Sequence, residues 1–171
     1  LLPEGVERRL YTDRVEASSF LWVNYNRFQE NYHPNYILDG DPRTAWIEGA
    51  DDNGIGEWLR FNLSPLKKVS RLRLRVQNGY HKTEKLFKQN ARVAKLELKA
   101  LPGGETKTFD LEDLMDWQEL VWELEKDELE AFELKVLGAA KGTKYKDLAI
   151  SDIEIFVTAR TKENPAFEKK K

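Results

Sequence analysis

The side chains that could do chemistry in this chain are mostly acidic, aromatic or amide-bearing, and they gather in turn-rich stretches. The densest is Tyr36 to Phe61, YILDGDPRTAWIEGADDNGIGEWLRF. Asp39-Gly40-Asp41-Pro42 is turn chemistry: Asp bonds its own backbone, Gly takes positive φ, and Pro fixes φ. Gly49 to Gly56 is a second, acidic loop. Several chemistries are excluded. With no Cys and only His33 and His81, there is no thiolate nucleophile and no zinc set. Neither His sits in a recognisable nucleophile motif. Asp39 and Asp41 fit the first positions of an EF-hand, but Arg43 and Ala50 stand where ligands are required. Gly54-Ile55-Gly56 lacks the third glycine and the helix of a phosphate-binding loop. A glycosidase needs only two carboxylates about 5–10 Å apart, so Asp51, Asp52 and Glu57 keep that class open as a minor alternative. The expectation is a non-catalytic domain.

The elements that position these loops are strands. Leu59, Phe61 and Leu63 alternate with polar residues, as do Leu72, Leu74 and Val76 with Arg71, Arg73 and Arg75. The same period recurs at Ala94–Ala100, Leu120–Leu124, Phe132–Val136 and Ile153–Val157. Pro102-Gly103-Gly104 closes a hairpin onto Lys107–Leu111. Asn78-Gly79-Tyr80 reads as a turn, residues 81–92 as a polar loop with one helical turn, and 138–146 as a loop. Asp127–Lys135 has helix propensity, but its period of two assigns it to a strand. Seven or eight short strands with no long amphipathic helix predict an all-β sandwich or jelly roll. Residues 1–14 are expected to form an N-terminal arm, 15–158 the sandwich and 159–171 a charged linker or tail.

The chain has 171 residues, 34% charged and 40% hydrophobic, which suits one soluble domain with a sizeable core. A net charge of −2 argues against a nucleic-acid partner. No run of about 18 apolar residues exists to make a transmembrane helix. Leu1-Leu2-Pro3-Glu4 lacks the regions of a signal peptide and reads as an internal boundary. The arginine stripe at 71, 73 and 75 is expected to be a solvated or salt-bridged face, with Glu97 and Glu133 as neighbours.

Ala17-Ser18-Ser19, Tyr36–Pro42 with Thr44-Ala45-Trp46, Gly56-Glu57-Trp58 and Ala149–Ile153 resemble the discoidin, or coagulation-factor type C, superfamily of galactose-binding-like jelly rolls. Asn78-Gly79-Tyr80 with Lys82, Asn90 with Arg92, and Gly142–Asp147 resemble more narrowly the glycan-binding domain attached to bacterial NAD glycohydrolase toxins. The resemblance covers residues 15–158. It implies a carbohydrate-binding module that targets or tethers a larger bacterial protein, secreted, periplasmic or on the cell surface, with other domains of that parent as partners. A protein–protein or lipid-surface module on the same fold is the alternative.

Sugar recognition needs an aromatic ring against the C–H face and planar polar groups for the hydroxyls. Trp22, Tyr25, Tyr80, Lys82, Asn90, Arg92 and Tyr145 lie in or beside the predicted loops and form the glycan-binding set. Arg92 could equally bridge to Glu57 or Asp147, and Asn90 could be a turn residue. Trp46 and Trp58 are expected to pack in the core or against loops. The resemblance also implies a structural calcium ion held by Asp39, carbonyls near Tyr36 and Asp41, Thr44 and Asp152. Asp152 stands where the superfamily usually carries the longer Glu.

Overall fold

The computed structural model describes residues 5–161 except 11, 13, 20, 21, 26, 27, 32, 33, 35, 36, 38–44 and 49–53, with backbone alone for 22–25 and 28–31. The elements are β1 (Val6–Leu10), β2 (Val15–Ala17), β3 (Trp22–Tyr25), β4 (Phe28–Asn31), β5 (Trp46–Ile47), β6 (Trp58–Asn78), α1 (Glu84–Gln89), β7 (Arg92–Leu101), β8 (Thr106–Asp110), β9 (Trp117–Trp122), β10 (Lys126–Ala140) and β11 (Ala149–Ala159).

β6 organises the molecule. Its first half pairs with β2 and β10, its second half with β9 and β11. One continuous sheet therefore folds over into two layers, β2-β6-β10-β7-β8 and β1-β11-β6-β9, all of them antiparallel neighbours. The sequence pattern suggests two separate strands here, because Pro65 interrupts the alternation. The structure joins them through a bulge. Asn62 faces Ala131 and Leu66 faces Leu129, so Leu63, Ser64 and Pro65 lie across from Glu130 alone. Proline lacks the N–H of a regular ladder, and a bulge tolerates it. Lys68, at φ 57°, takes the left-handed conformation three residues on.

The period-two pattern sends Leu59, Phe61, Leu96, Leu98, Phe132 and Leu134 of one layer against Leu72, Leu74, Leu120, Ile153 and Ile155 of the other, in one buried core. Phe61 and Phe132 stack at 4.7 Å between ring centroids. Trp46 is fully buried in this core and donates its Nε1–H to the Ser19 carbonyl at 2.8 Å. Asp127–Lys135 is strand, as its alternation predicts.

Two boundaries and one set of side-chain neighbours differ from the sequence expectation. Val6–Leu10, placed in an arm, is an edge strand paired with Ile155–Ala159. β10 continues to Ala140, into the expected loop, because its last residues pair with β7. The arginine stripe faces neither Glu97 nor Glu133, since β7 and β10 belong to the other layer. Arg71 instead pairs with Glu123 at 2.8 Å, Arg73 with Glu7 and Glu119 at 2.9 and 2.8 Å, and Arg75 with Glu154 at 2.6 Å. Arg73 also lies 4.1 Å above the Phe156 ring and Arg75 4.7 Å from that of Trp117. The hydrogen bond from Arg73 holds the Glu7 carboxyl below its ordinary range. Of the expected tail over 159–171, Ala159 closes β11, and the residues from 162 on lie outside the described residues.

Candidate functional site

At one end of the sandwich three connections meet: residues 79–91 with α1, 111–116 and 141–147. The Asn78 side chain starts the assembly. It donates to the Val93 carbonyl at 2.7 Å and accepts from the Val93 N–H at 2.9 Å, tying the end of β6 to the start of β7. Gly79 follows at φ 88°, where a Cβ would come within 2.7 Å of the Phe87 ring. Thr83 caps α1, its hydroxyl accepting from the Leu86 N–H at 3.0 Å.

Arg92 then fastens the three connections together. Its guanidinium donates to the Phe87 and Asn90 carbonyls at 2.8 and 2.9 Å and forks onto Asp113 at 2.5 and 3.1 Å. Asp113, rather than Glu57 or Asp147, is its carboxylate partner; Asp147 bonds through its backbone carbonyl to the Ala91 N–H. The 141–147 segment docks on the end of α1 by Thr143 N–H to Lys88 and Tyr145 N–H to Gln89, at 2.9 and 2.8 Å. Gly142 permits this, because a Cβ there would lie 2.1 Å from the Gln89 carbonyl oxygen.

His81 is buried in the same corner. Its ring Nε2 lies 2.7 Å from the Asn78 carbonyl, which can only accept, so Nε2 carries the proton. Burial pushes the imidazole pKa down, while the Asn78 carbonyl and the charge of Asp116 pull it up. Glu57 accepts a hydrogen bond from the Ser19 hydroxyl. The described His and the described acid of the glycosidase set are thus both engaged in holding structure.

The glycan-binding set divides accordingly. Tyr80 is 6% exposed and packs with Ala45, Ile47, Ala149 and Leu86. Asn90 is buried, its side chain donating to the Leu86 carbonyl at 3.0 Å. Arg92 is buried as described. Lys82 and Tyr145 face solvent, Tyr145 at 40% exposure with the Lys144 ammonium 5.2 Å from its ring centroid. Trp22 and Tyr25 lie on β3, and their side chains are outside the description. Sequence reasoning missed Asp113 and, beside it, the exposed Leu114 and Met115. Of the calcium set, Tyr36, Asp39, Asp41 and Thr44 lie outside the described residues, as do Asp51 and Asp52 of the glycosidase set. Asp152 is buried near the start of β11, opposite Gln77. Among the described residues no three His, Asp or Glu side chains gather closely enough to hold a metal.

Two antiparallel layers joined by a shared strand, with three connections meeting at one end, have the architecture of an F5/8 type C β-sandwich. The chain belongs to the NAD glycohydrolase translocation F5/8 type C domain family, whose pattern matches residues 8–156. Its fold is similar to that of the family 32 carbohydrate-binding module of C. perfringens NanJ, solved with galactose. That match has a TM-score of 0.57 at 15% identity and covers 88% of this chain and 99% of the other. It is also similar to an F5/8 type C domain from Bacteroides fragilis, with a TM-score of 0.56 at 14% identity over 88% and 95% of the two chains. Part of the mycobacterial arabinofuranosyltransferase AftD matches as well, at TM-score 0.59 and 17% identity, covering 88% of this chain and 11% of that one. No curated protein sequence matches significantly. Among the described residues no helix is long and apolar enough to cross a membrane.

Proposed function

We propose that this domain is a non-catalytic carbohydrate-binding module of a larger bacterial protein, secreted, periplasmic or surface-bound. It holds an attached domain, of the NAD glycohydrolase class in its family's description, near a glycan-bearing surface. Weak binding suffices for this, because tethering raises the local concentration of whatever is attached. The observation that carries the reading is the rigid loop end. Tyr145, Lys82 and Lys144 stand in solvent on connections pinned by Asn78 and Arg92. An exposed ring beside the Lys144 ammonium on a fixed base suits a sugar's C–H face and its hydroxyls. The NanJ module of the same fold was solved with galactose. A structural Ca²⁺ held by the Asp39 loop and Asp152 belongs to the same proposal, supported by the burial of a carboxylate at that position of β11.

The experiment is a broad glycan array probed with the domain, in calcium and in chelator. Specific binding that Tyr145→Ala weakens supports the loop-end site, and its loss on chelation supports the ion. Binding to no glycan overturns the reading. Leu114 and Met115, 36% and 39% exposed beside the Arg92–Asp113 pair, favour one second reading, a protein or lipid surface. Vesicle co-sedimentation that Met115→Ser abolishes would establish it.

A further inference from the structure

The outer face of the β2-β6-β10-β7-β8 layer carries a feature that neither the loop end nor the core uses. With Leu59 and Phe61 turned inward, Trp58 and Arg60 of β6 point outward. The pairing sets Trp58, Lys135 and Glu97 in one row across β6, β10 and β7, and Arg60, Glu133 and Lys99 in the next. Thr108 and Thr106 of β8 extend the two rows, and Glu16 of β2 flanks Arg60. Neighbouring strands lie about 4.8 Å apart, so these groups form a tight grid of donors and acceptors.

Within the grid is a depression of about 430 Å³ lined by Gly56, Trp58, Glu97, Lys99, Glu133 and Lys135. Small-molecule sites run from roughly 300 to 1,000 Å³. Gly56 leaves its edge open, since a Cβ there would meet nothing within 4 Å. Among the described residues, Glu97, Lys99, Glu133 and Lys135 close no ion pair with a neighbour, although register sets opposite charges side by side. Beside Glu133, the Nε of Arg60 is buried without a hydrogen-bond partner. Buried polar atoms are nearly always satisfied, and the exceptions call for an explanation.

Chemistry narrows the occupant. Two carboxylates and two ammonium groups line the depression, so no net field selects an anion or a cation. An apolar protein surface would have to desolvate four charges. A neutral polyhydroxylated molecule meets all the demands. Its hydroxyls both donate and accept, and its C–H face covers the half-buried Trp58 ring. We propose that this face is a second carbohydrate-binding surface, for a neutral oligosaccharide lying across β6, β10 and β7. Trp58 is the stacking platform, and Glu97, Glu133, Lys99 and Lys135 bond the hydroxyls. It rests on the preceding reading only for the class of ligand and uses none of its residues.

The test is a nuclear magnetic resonance titration of the isotope-labelled domain with lactose, cellotetraose and chitotetraose, and with a heparin tetrasaccharide as the anionic probe. A neutral sugar should shift the Trp58 indole N–H and the amides around residues 97–99 and 133–135. Trp58→Ala should weaken that binding at least tenfold, and Trp58→Phe should restore part of it. Lys135→Ala, on an exposed side chain, should weaken it several-fold in a domain with unchanged melting. Shifts confined to 79–91 and 141–147 would overturn this surface while leaving the loop end standing. Shifts at the Trp58 face alone would support it and remove the loop end. Preference of the face for the heparin fragment would overturn the neutral ligand, and the absence of shifts with any of these sugars would overturn both surfaces.

Discussion

The two outer faces of the sandwich are built from similar ingredients and end in opposite states. On the layer of β1, β11 and β9, three arginines stand on one strand, with Glu7, Glu119 and Glu154 on the strands around them and Glu123 just past the end of β9. Each guanidinium finds a carboxylate, and two also find an aromatic seat. On the other layer, acids and lysines alternate across strands in good register, yet the four around Trp58 stay apart. Complementary register alone therefore does not close an ion pair. Arg offers a planar fork and a flat face to rest on an aromatic ring, whereas Lys is a hydrated point charge on a flexible stem. One face is finished as structure, and the other keeps its hydrogen-bonding capacity.

The sharpest challenge to this contrast is a change beneath both faces. Phe132→Ala removes one ring of the central stack and should cost about 3–5 kcal/mol in urea denaturation, weakening the two faces together. A result confined to one layer would mean that the layers are not one cooperative unit. Next comes the closed face itself. Arg73→Ala breaks contacts to Glu7, Glu119 and Phe156 and should cost about 1–2 kcal/mol in the same assay, well above an isolated surface pair. Amide exchange should accelerate across Val6–Leu10, which Arg73 clamps through Glu7.

Acid should separate the loop end from the closed face by where each begins to fail. His81 has a folded pKa below its ordinary 6.5, so the fold favours the neutral ring. Its contribution is intact above about 6.5 and is lost as pH falls from there through the folded value. Denaturant midpoints from pH 7.5 to 5 should decline, and His81→Gln should flatten that decline. Glu7 acts later: its depressed pKa gives stability present above the ordinary 4.5 and lost as pH falls below it. The smallest effect is expected on the open face. Lys135→Ala and Glu97→Gln should change stability by no more than about 0.5 kcal/mol, because they break no ion pair among the described residues. A larger cost would show that this face is structural after all.

Much of the fold was legible because apolar residues alternate wherever a strand has one face in the core, as at Leu96-Leu98 and Ile153-Ile155. β1 was not, because Val6 and Leu10 are too far apart to display a period, and its strand state comes from pairing with β11. The unity of β6 was hidden by Pro65, which breaks the local pattern but sits in a bulge. The site was less legible than the fold. Tyr80, Asn90 and Arg92 have the residue types of a binding surface, but type does not tell which way a side chain turns. Asp113, the partner that draws Arg92 inward, is distant in sequence and carries no local signal. Trp58 is the reverse case. An aromatic beside a strand reads as core or loop packing, yet the period that buries Leu59 and Phe61 sends Trp58 to the outer face.

The pairing of β1 with β11 also sets how the domain responds to force. Val6 lies opposite Ala159, so both ends of the sandwich emerge side by side at one edge. Tension drawing those ends apart loads the five residue pairs from Val6 to Leu10 one after another, as a zipper opens, rather than all at once in shear. Two domains joined to these ends would leave in the same direction, and pulling on either would peel β1 first. The 21 residues of β6, paired on both sides within the two layers, would be among the last to yield. The domain is thus expected to be mechanically weak at the β1 edge and strong at its centre.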